Sequence, residues 1–135
     1  MLHLAWQDKF SVGVAELDSQ HKHLLVLLNK LLSMSHKPIV KEEFFGMLNQ
    51  FVKYAETHFV TEERLMEEHG FPGLKEHAAI HAAFVIKMFA LTEGIQNSDI
   101  NAARELVEYV KNWYVEHVLG TDREYIALLA EKGVR

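Results

Sequence analysis

No cysteine occurs in the chain, so disulfides, thiolate metal sites and cysteine nucleophiles are excluded. Turn formers are scarce. Seven glycines and two prolines among 135 residues, of which 49% are hydrophobic, favour helices over a turn-rich β fold. Net positive charge is also lacking, and a formal charge of −5 argues against non-specific nucleic-acid binding. The N-terminus, MLHLAWQDKF, has no basic region followed by an apolar run, so no signal peptide is read there. The apolar runs are short, such as LLVLL at residues 24 to 28, so no segment is expected to span a membrane. The expectation is a soluble, cytoplasmic protein of one domain, residues 1–135, long enough to bury a single core.

Histidine is what the chain has in excess, with nine copies. Their placement depends on the helices. An arm over roughly residues 1–17 shows no sustained helical period. Asp18 reads as the N-cap of a first helix, DSQHKHLLVLLNKLLSM, which the HKP step at 36–38 ends because the residue before a proline avoids helical geometry. A second helix runs from about Val40 to about Glu68 and is followed by the turn HGFPG. A third runs from about Gly73 to Glu93, with Gly94 as its stop. Ser98 or Asp99 caps a fourth, which reaches about Leu119, and a short tail helix, DREYIALLAEKG, follows Gly120. The fold class is all-α: an up-down-up-down antiparallel four-helix bundle with an N-terminal arm and a short C-terminal helix.

The inner stripe of the second helix is Phe44, Leu48, Phe51, Ala55, His58, Glu62 and Leu65, in alternating steps of four and three. That of the third is Leu74, His77, His81, Phe84, Met88 and Leu91, and that of the fourth is Leu106, Val110, Trp113 and His117. In the first helix His21 begins a stripe continued by Leu24, Leu28 and Leu31. Five histidines and one glutamate thus stand where apolar residues belong. In an antiparallel bundle the start of the first helix, the end of the second, the start of the third and the end of the fourth share one end, so all six meet at one level.

One histidine on an apolar face is ordinarily a core residue satisfied by a single hydrogen bond. Five at one level, with a buried glutamate, need partners for every ring nitrogen and oxygen, and a metal centre supplies them together. His58 and Glu62 are four apart, projecting about 40° from each other on one face, and His77 and His81 repeat the geometry. In HVLGTD, residues 117–122, five residues of regular helix would turn Asp122 about 140° away from His117. Gly120 lies between and can bend the chain so that Asp122 returns over the site; the alternative is that Asp122 only caps the tail helix. Five imidazoles and two carboxylates exceed one tetrahedral zinc and suit two bridged ions of intermediate softness, with iron the sensible choice. If both carboxylates and one solvent-derived oxygen bridge, an iron with three histidines is full. An iron with two has one vacant position for a diatomic ligand.

QHKHL, HFVTEERLM, HAAIH and WYVEHVLGTD, with the arm's W and SVGV…LDSQH, resemble the motifs of the hemerythrins, specifically the bacteriohemerythrins, over nearly the whole chain. The resemblance implies that His77, His81 and His117 bind one iron, that His21 and His58 bind the other, and that Glu62 and Asp122 bridge them. It implies that O₂ binds end-on at the open iron as a hydroperoxide, with no enzymatic turnover; nitric oxide and small anions are further candidates for that position. The family usually has a leucine three residues before the last ligand histidine, where this chain has Tyr114. Either the Tyr114 ring packs as the leucine would and its hydroxyl finds an outside partner, or it touches the O₂ pocket, for which Trp113 and Phe59 are further candidates.

The other histidines read as peripheral. His23 lies about 200° round the helix from His21, His36 sits at a helix C-terminus, His3 is in the arm, and His69 abuts the HGFPG turn. A sensing module, in which O₂, nitric oxide or redox state alters a separate protein partner, is the second functional reading. An O₂-activating di-iron enzyme ranks lower because no Glu-x-x-His occurs. A histidine phosphotransfer bundle would leave the five inward histidines unexplained, and HExxH is absent.

Overall fold

The computed structural model describes residues 3–96 and 100–135. It contains five α-helices: α1 (Ala15–Ser35), α2 (Lys41–Glu68), α3 (Leu74–Gln96), α4 (Ile100–Leu119) and α5 (Ile126–Glu131). Short 3₁₀ turns lie at Asp8–Phe10 and Thr121–Tyr125, and no strand occurs among the described residues. Around the bundle α1 packs on α2 and α4, and α3 packs on α2 and α4. The fold is the all-α four-helix bundle that the periodicity predicts. Its apolar centre includes Leu28, Leu31, Phe44, Phe84 and Leu106, each at most 1% exposed. A second small core of Val12, Val14, Leu17, Leu65, Met66, Tyr125 and Leu129 closes the end where the arm and α5 meet.

Three expectations are corrected. Asp18 does not cap α1, which begins earlier, after Val14, with no side-chain cap. Its carboxylate instead accepts the Ser11 hydroxyl and, at 2.8 Å, the Val12 main-chain N–H, tying the arm to the first turn of α1. Asn29 holds the arm further along. Its amide oxygen accepts Leu4 N–H at 2.8 Å and its NH₂ donates to the Leu4 carbonyl at 2.9 Å. Gly94 does not stop α3, which continues to Gln96 and buries Ile95. A glycine weakens a helix interior without forbidding it, and burial of the following side chain prevails. The expected caps Ser98 and Asp99 lie outside the described residues.

The third correction concerns α3. Its residues alternate alanine with larger apolar side chains, so its mean hydropathy reaches 1.5 over 18 residues without any long uninterrupted run. By length and composition alone it meets the measure of a membrane span, yet His77 and His81 on its inner face make it a bundle helix. Only 22% of that window is buried, so much of its apolar surface faces outward.

The turn between α2 and α3 fixes the site's geometry. Gly70 adopts φ +70°, a conformation that side chains resist. It lets Phe71 N–H reach the Met66 carbonyl at 2.9 Å and Gly70 N–H the Glu67 carbonyl at 3.2 Å. This pair of hydrogen bonds ends α2 at Glu68, nearly two turns past Glu62, and lets α3 start at Leu74, just before His77.

Candidate metal centre

Each helix delivers its polar side chains to one end of the bundle. His21 comes from α1, His58 and Glu62 from α2, His77 and His81 from α3, and His117 from α4. Asp122 comes from the 3₁₀ turn that follows. All seven are at most 4% exposed. Asp122 arrives because the chain leaves α geometry at Gly120. There φ and ψ are −113° and −76°, Gly120 N–H makes the last helical bond to the Glu116 carbonyl at 2.9 Å, and the tighter turn follows. A Cβ on Gly120 would stand 2.8 Å from that same carbonyl oxygen, so the bend needs glycine. The result puts Asp122 Oδ1 2.8 Å from His117 Nε2, instead of on the far side of the helix.

The two carboxylates divide their oxygens between two groups of histidines. Glu62 Oε1 lies 2.6 Å from His77 Nε2, 3.1 Å from His81 Nε2 and 3.9 Å from His117 Nε2. Glu62 Oε2 lies 3.2 Å from His58 Nε2 and 3.6 Å from His21 Nε2. Asp122 Oδ1 faces His77 at 3.1 Å as well as His117, and Oδ2 faces His21 at 3.1 Å. Two donor sets result. One is Glu62, His77, His81, His117 and Asp122; the other is His21, His58, Glu62 and Asp122; the donor atoms within each set lie within 4.8 Å of one another.

These contacts are close without being satisfying. His21 Nε2, His58 Nε2 and both Asp122 oxygens make no well-directed hydrogen bond, although all are buried. His81 Nε2 and His117 Nε2 face each other at 3.0 Å. Lone pairs that converge on shared points instead of on protons fit cations, and the mixture of imidazole and carboxylate fits a divalent ion of intermediate softness.

Electrostatics without metal agree. Burial opposes a charge on His21, but the nearby carboxylates of Asp122 and Glu62 outweigh it and raise the pKa from 6.5 to about 9. His77 is raised to about 9 by the same balance. His117 is also raised against its burial by Asp122 and Glu62. His58 is lowered, with burial the largest cause. Burial would push Glu62 up, yet the surrounding histidines hold it well below the usual carboxylate range. Asp122 is likewise lowered, against both burial and the Glu62 charge, chiefly by His117 and His21. Protons on the imidazoles thus stand in for cations that the carboxylates attract.

A family model described as the Hemerythrin HHE cation binding domain matches residues 12–129. The chain belongs to the hemerythrin family. It is 29% identical over 126 residues to a bacteriohemerythrin of Clostridium acetobutylicum, covering 90% of this chain and 97% of that one. It is 32% identical over 120 residues to a myohemerythrin of Riftia pachyptila, covering 89% and 88%. Among solved structures, a leucine-to-tyrosine variant of hemerythrin superposes with a TM-score of 0.83 at 25% identity, over 96% of this chain and 99% of that one.

Against that hemerythrin frame, the three aromatic candidates separate. Phe59 stacks on His81 at 3.9 Å and Trp113 on His117 at 4.3 Å, both beside the three-histidine set. Phe84 backs Trp113 at 4.1 Å. Tyr114 is 2% exposed, meets Phe10 edge-on at 6.2 Å, and its hydroxyl donates to the His21 main-chain carbonyl at 2.9 Å. The structure therefore gives that hydroxyl a protein partner on α1.

Three further residues orient the site, and sequence reasoning missed them. The Tyr125 hydroxyl, fully buried, donates to Glu62 Oε2 at 2.9 Å. His58 Nδ1 meets the Gln20 amide oxygen at 2.6 Å, and His81 Nδ1 meets Glu63 Oε2 at 2.9 Å. An N–H on each Nδ1 turns the Nε2 lone pair toward the centre. Gln20 and Glu63 adjoin site residues in sequence, but a neighbour in sequence points elsewhere on a helix, so only packing reveals the pairing. The remaining histidines, His3, His23 and His36, are exposed, and His69 caps the end of α2 half-buried.

Proposed function

We propose that the chain binds O₂ reversibly at a non-haem di-iron centre, for carriage, storage or scavenging, without enzymatic turnover. His77, His81 and His117 would hold one iron, His21 and His58 the other, and Glu62 and Asp122 would bridge them. The observation that carries this reading is the division of each carboxylate: Glu62 turns one oxygen to three imidazoles and the other to two, and Asp122 turns one oxygen to His77 and His117 and the other to His21. Bound iron would supply the electrons with which a diatomic ligand is held.

The protein's own residues then have three tasks. Gln20, Glu63 and Tyr125 fix the orientation of His58, His81 and Glu62. Phe59, Phe84 and Trp113 wall the three-histidine side and keep water from it. The two-histidine side carries one imidazole fewer, and Tyr114 closes the core beside His21. A histidine-rich donor set, with no Glu-x-x-His, favours holding a ligand over activating it. We place the chain in the cytoplasm, whose reducing conditions would keep bound iron in the ferrous form.

The test is to reduce the purified protein without air, assay its metal, and record the visible spectrum as O₂ is added and removed. About two irons per chain and a charge-transfer band that comes and goes with O₂ are expected. Two irons that oxidise with no reversible band would reject O₂ carriage while leaving the site intact. No iron would reject the centre itself.

A further inference from the structure

The outer face of α3 carries a row of side chains that no described residue covers. Lys75, Ala79, Ala82, Ile86, Phe89 and Glu93 are all exposed. Their spacing alternates four and three, so they form one seam along the helix. Ile86 is 69% exposed and Phe89 64%. Phe89 also lines an apolar groove of about 230 Å³ with Phe45, Leu48, Val52 and Met88, which carries the apolar surface onto α2. Lys87, the one charged residue between Glu76 and Glu93, leans off this seam toward the Tyr109 ring on α4 at 5.9 Å.

The seam is its own complement when reversed. Laid antiparallel against a second copy, Lys75 meets Glu93, Ala79 meets Phe89 and Ala82 meets Ile86, and each pairing occurs twice. Every large side chain faces a small one, and each end sets a cation against an anion, over about 27 Å of helix. A parallel pairing would set Lys75 on Lys75, Phe89 on Phe89 and Glu93 on Glu93. An anionic lipid surface would attract Lys75 but repel Glu93.

We propose that α3 is a self-association face, on which two copies of the chain pack antiparallel about a two-fold axis between Ala82 and Ile86. Such an interface is isologous, the same patch serving both partners. It lies on the side of α3 opposite His77 and His81, so the metal centres remain enclosed within each copy.

Sedimentation of the full, metal-loaded chain over a range of concentrations tests this. A dimer of twice 15.6 kDa is expected. Lys75→Glu alone and Glu93→Lys alone should each weaken it about tenfold, and the two together should restore it, because reversing both charges recreates the complement. Ile86→Glu should abolish it, while unchanged iron content and helicity show that the fold survives. Because the chain has no cysteine, mixed Lys75→Cys and Glu93→Cys proteins should cross-link under oxidation and neither should alone. A monomer at every concentration, a dimer indifferent to the charge swaps, or cross-linking of either cysteine variant with itself would overturn the proposal. So would a monomer that sediments with phospholipid vesicles.

Discussion

Tyr125→Phe removes one hydroxyl and nothing else. The ring would still meet Phe71 edge-on at 6.5 Å and His77 at 5.7 Å, so the packing at that end of the bundle is kept. What disappears is the 2.9 Å bond to Glu62 Oε2, between two groups with no solvent exposure. A hydrogen bond to a charged, buried acceptor contributes about 1.5–3 kcal/mol. Loss of an outer partner of a metal ligand weakens metal binding about 10–100-fold, equivalent to about 1.4–2.7 kcal/mol. The two routes agree, so a 10–100-fold fall in iron affinity is expected. It should fall more on the two-histidine side, which Oε2 faces. Iron competition against a chelator, with circular dichroism to confirm the fold, measures it. Equal iron affinity in wild type and Tyr125→Phe would refute the role given to this phenol.

Other predictions test the remaining parts of the site. Gly120→Ala places a Cβ 2.8 Å from the Glu116 carbonyl, which is main chain and cannot swing aside; iron per chain should fall with little loss of helix, and full loading would show that the bend does not need glycine. Tyr114→Phe deletes a hydroxyl aimed at the His21 carbonyl; stability to denaturant should drop about 1 kcal/mol with O₂ release unchanged, and a large change in release would mean that the phenol reaches the ligand. In the metal-free chain, His21 and His77 titrate at about 9 instead of 6.5, so their stabilisation is complete below the lower value and is lost as pH rises through the upper. Urea unfolding of metal-free protein between about pH 6 and about pH 10 should show that decline and metal-loaded protein should not; equal slopes would reject it.

Much of the design can be read from residue order. Helical periodicity alone placed His21, His58, Glu62, His77, His81 and His117 on inner faces, because a helix repeats every 3.6 residues and an inward polar residue breaks an apolar stripe. Short connections then brought them to one end. The absence of cysteine and the excess of histidine determined the class of donor. Tertiary structure decided the rest. Asp122 needed a backbone bend whose size no periodicity states, and the sharp turn at Gly120 supplies it. Asp18 looked like a cap because local sequence favours that role, but the arm folding back gave its carboxylate nearer N–H and O–H donors. Gly94 looked like a stop, and burial of Ile95 carried the helix past it. Gln20, Glu63 and Tyr125 reach their partners across helices, and Tyr114 finds a carbonyl 93 residues away. Spacing along one chain fixes which side chains share a face; which atoms meet across faces is set only when the helices pack.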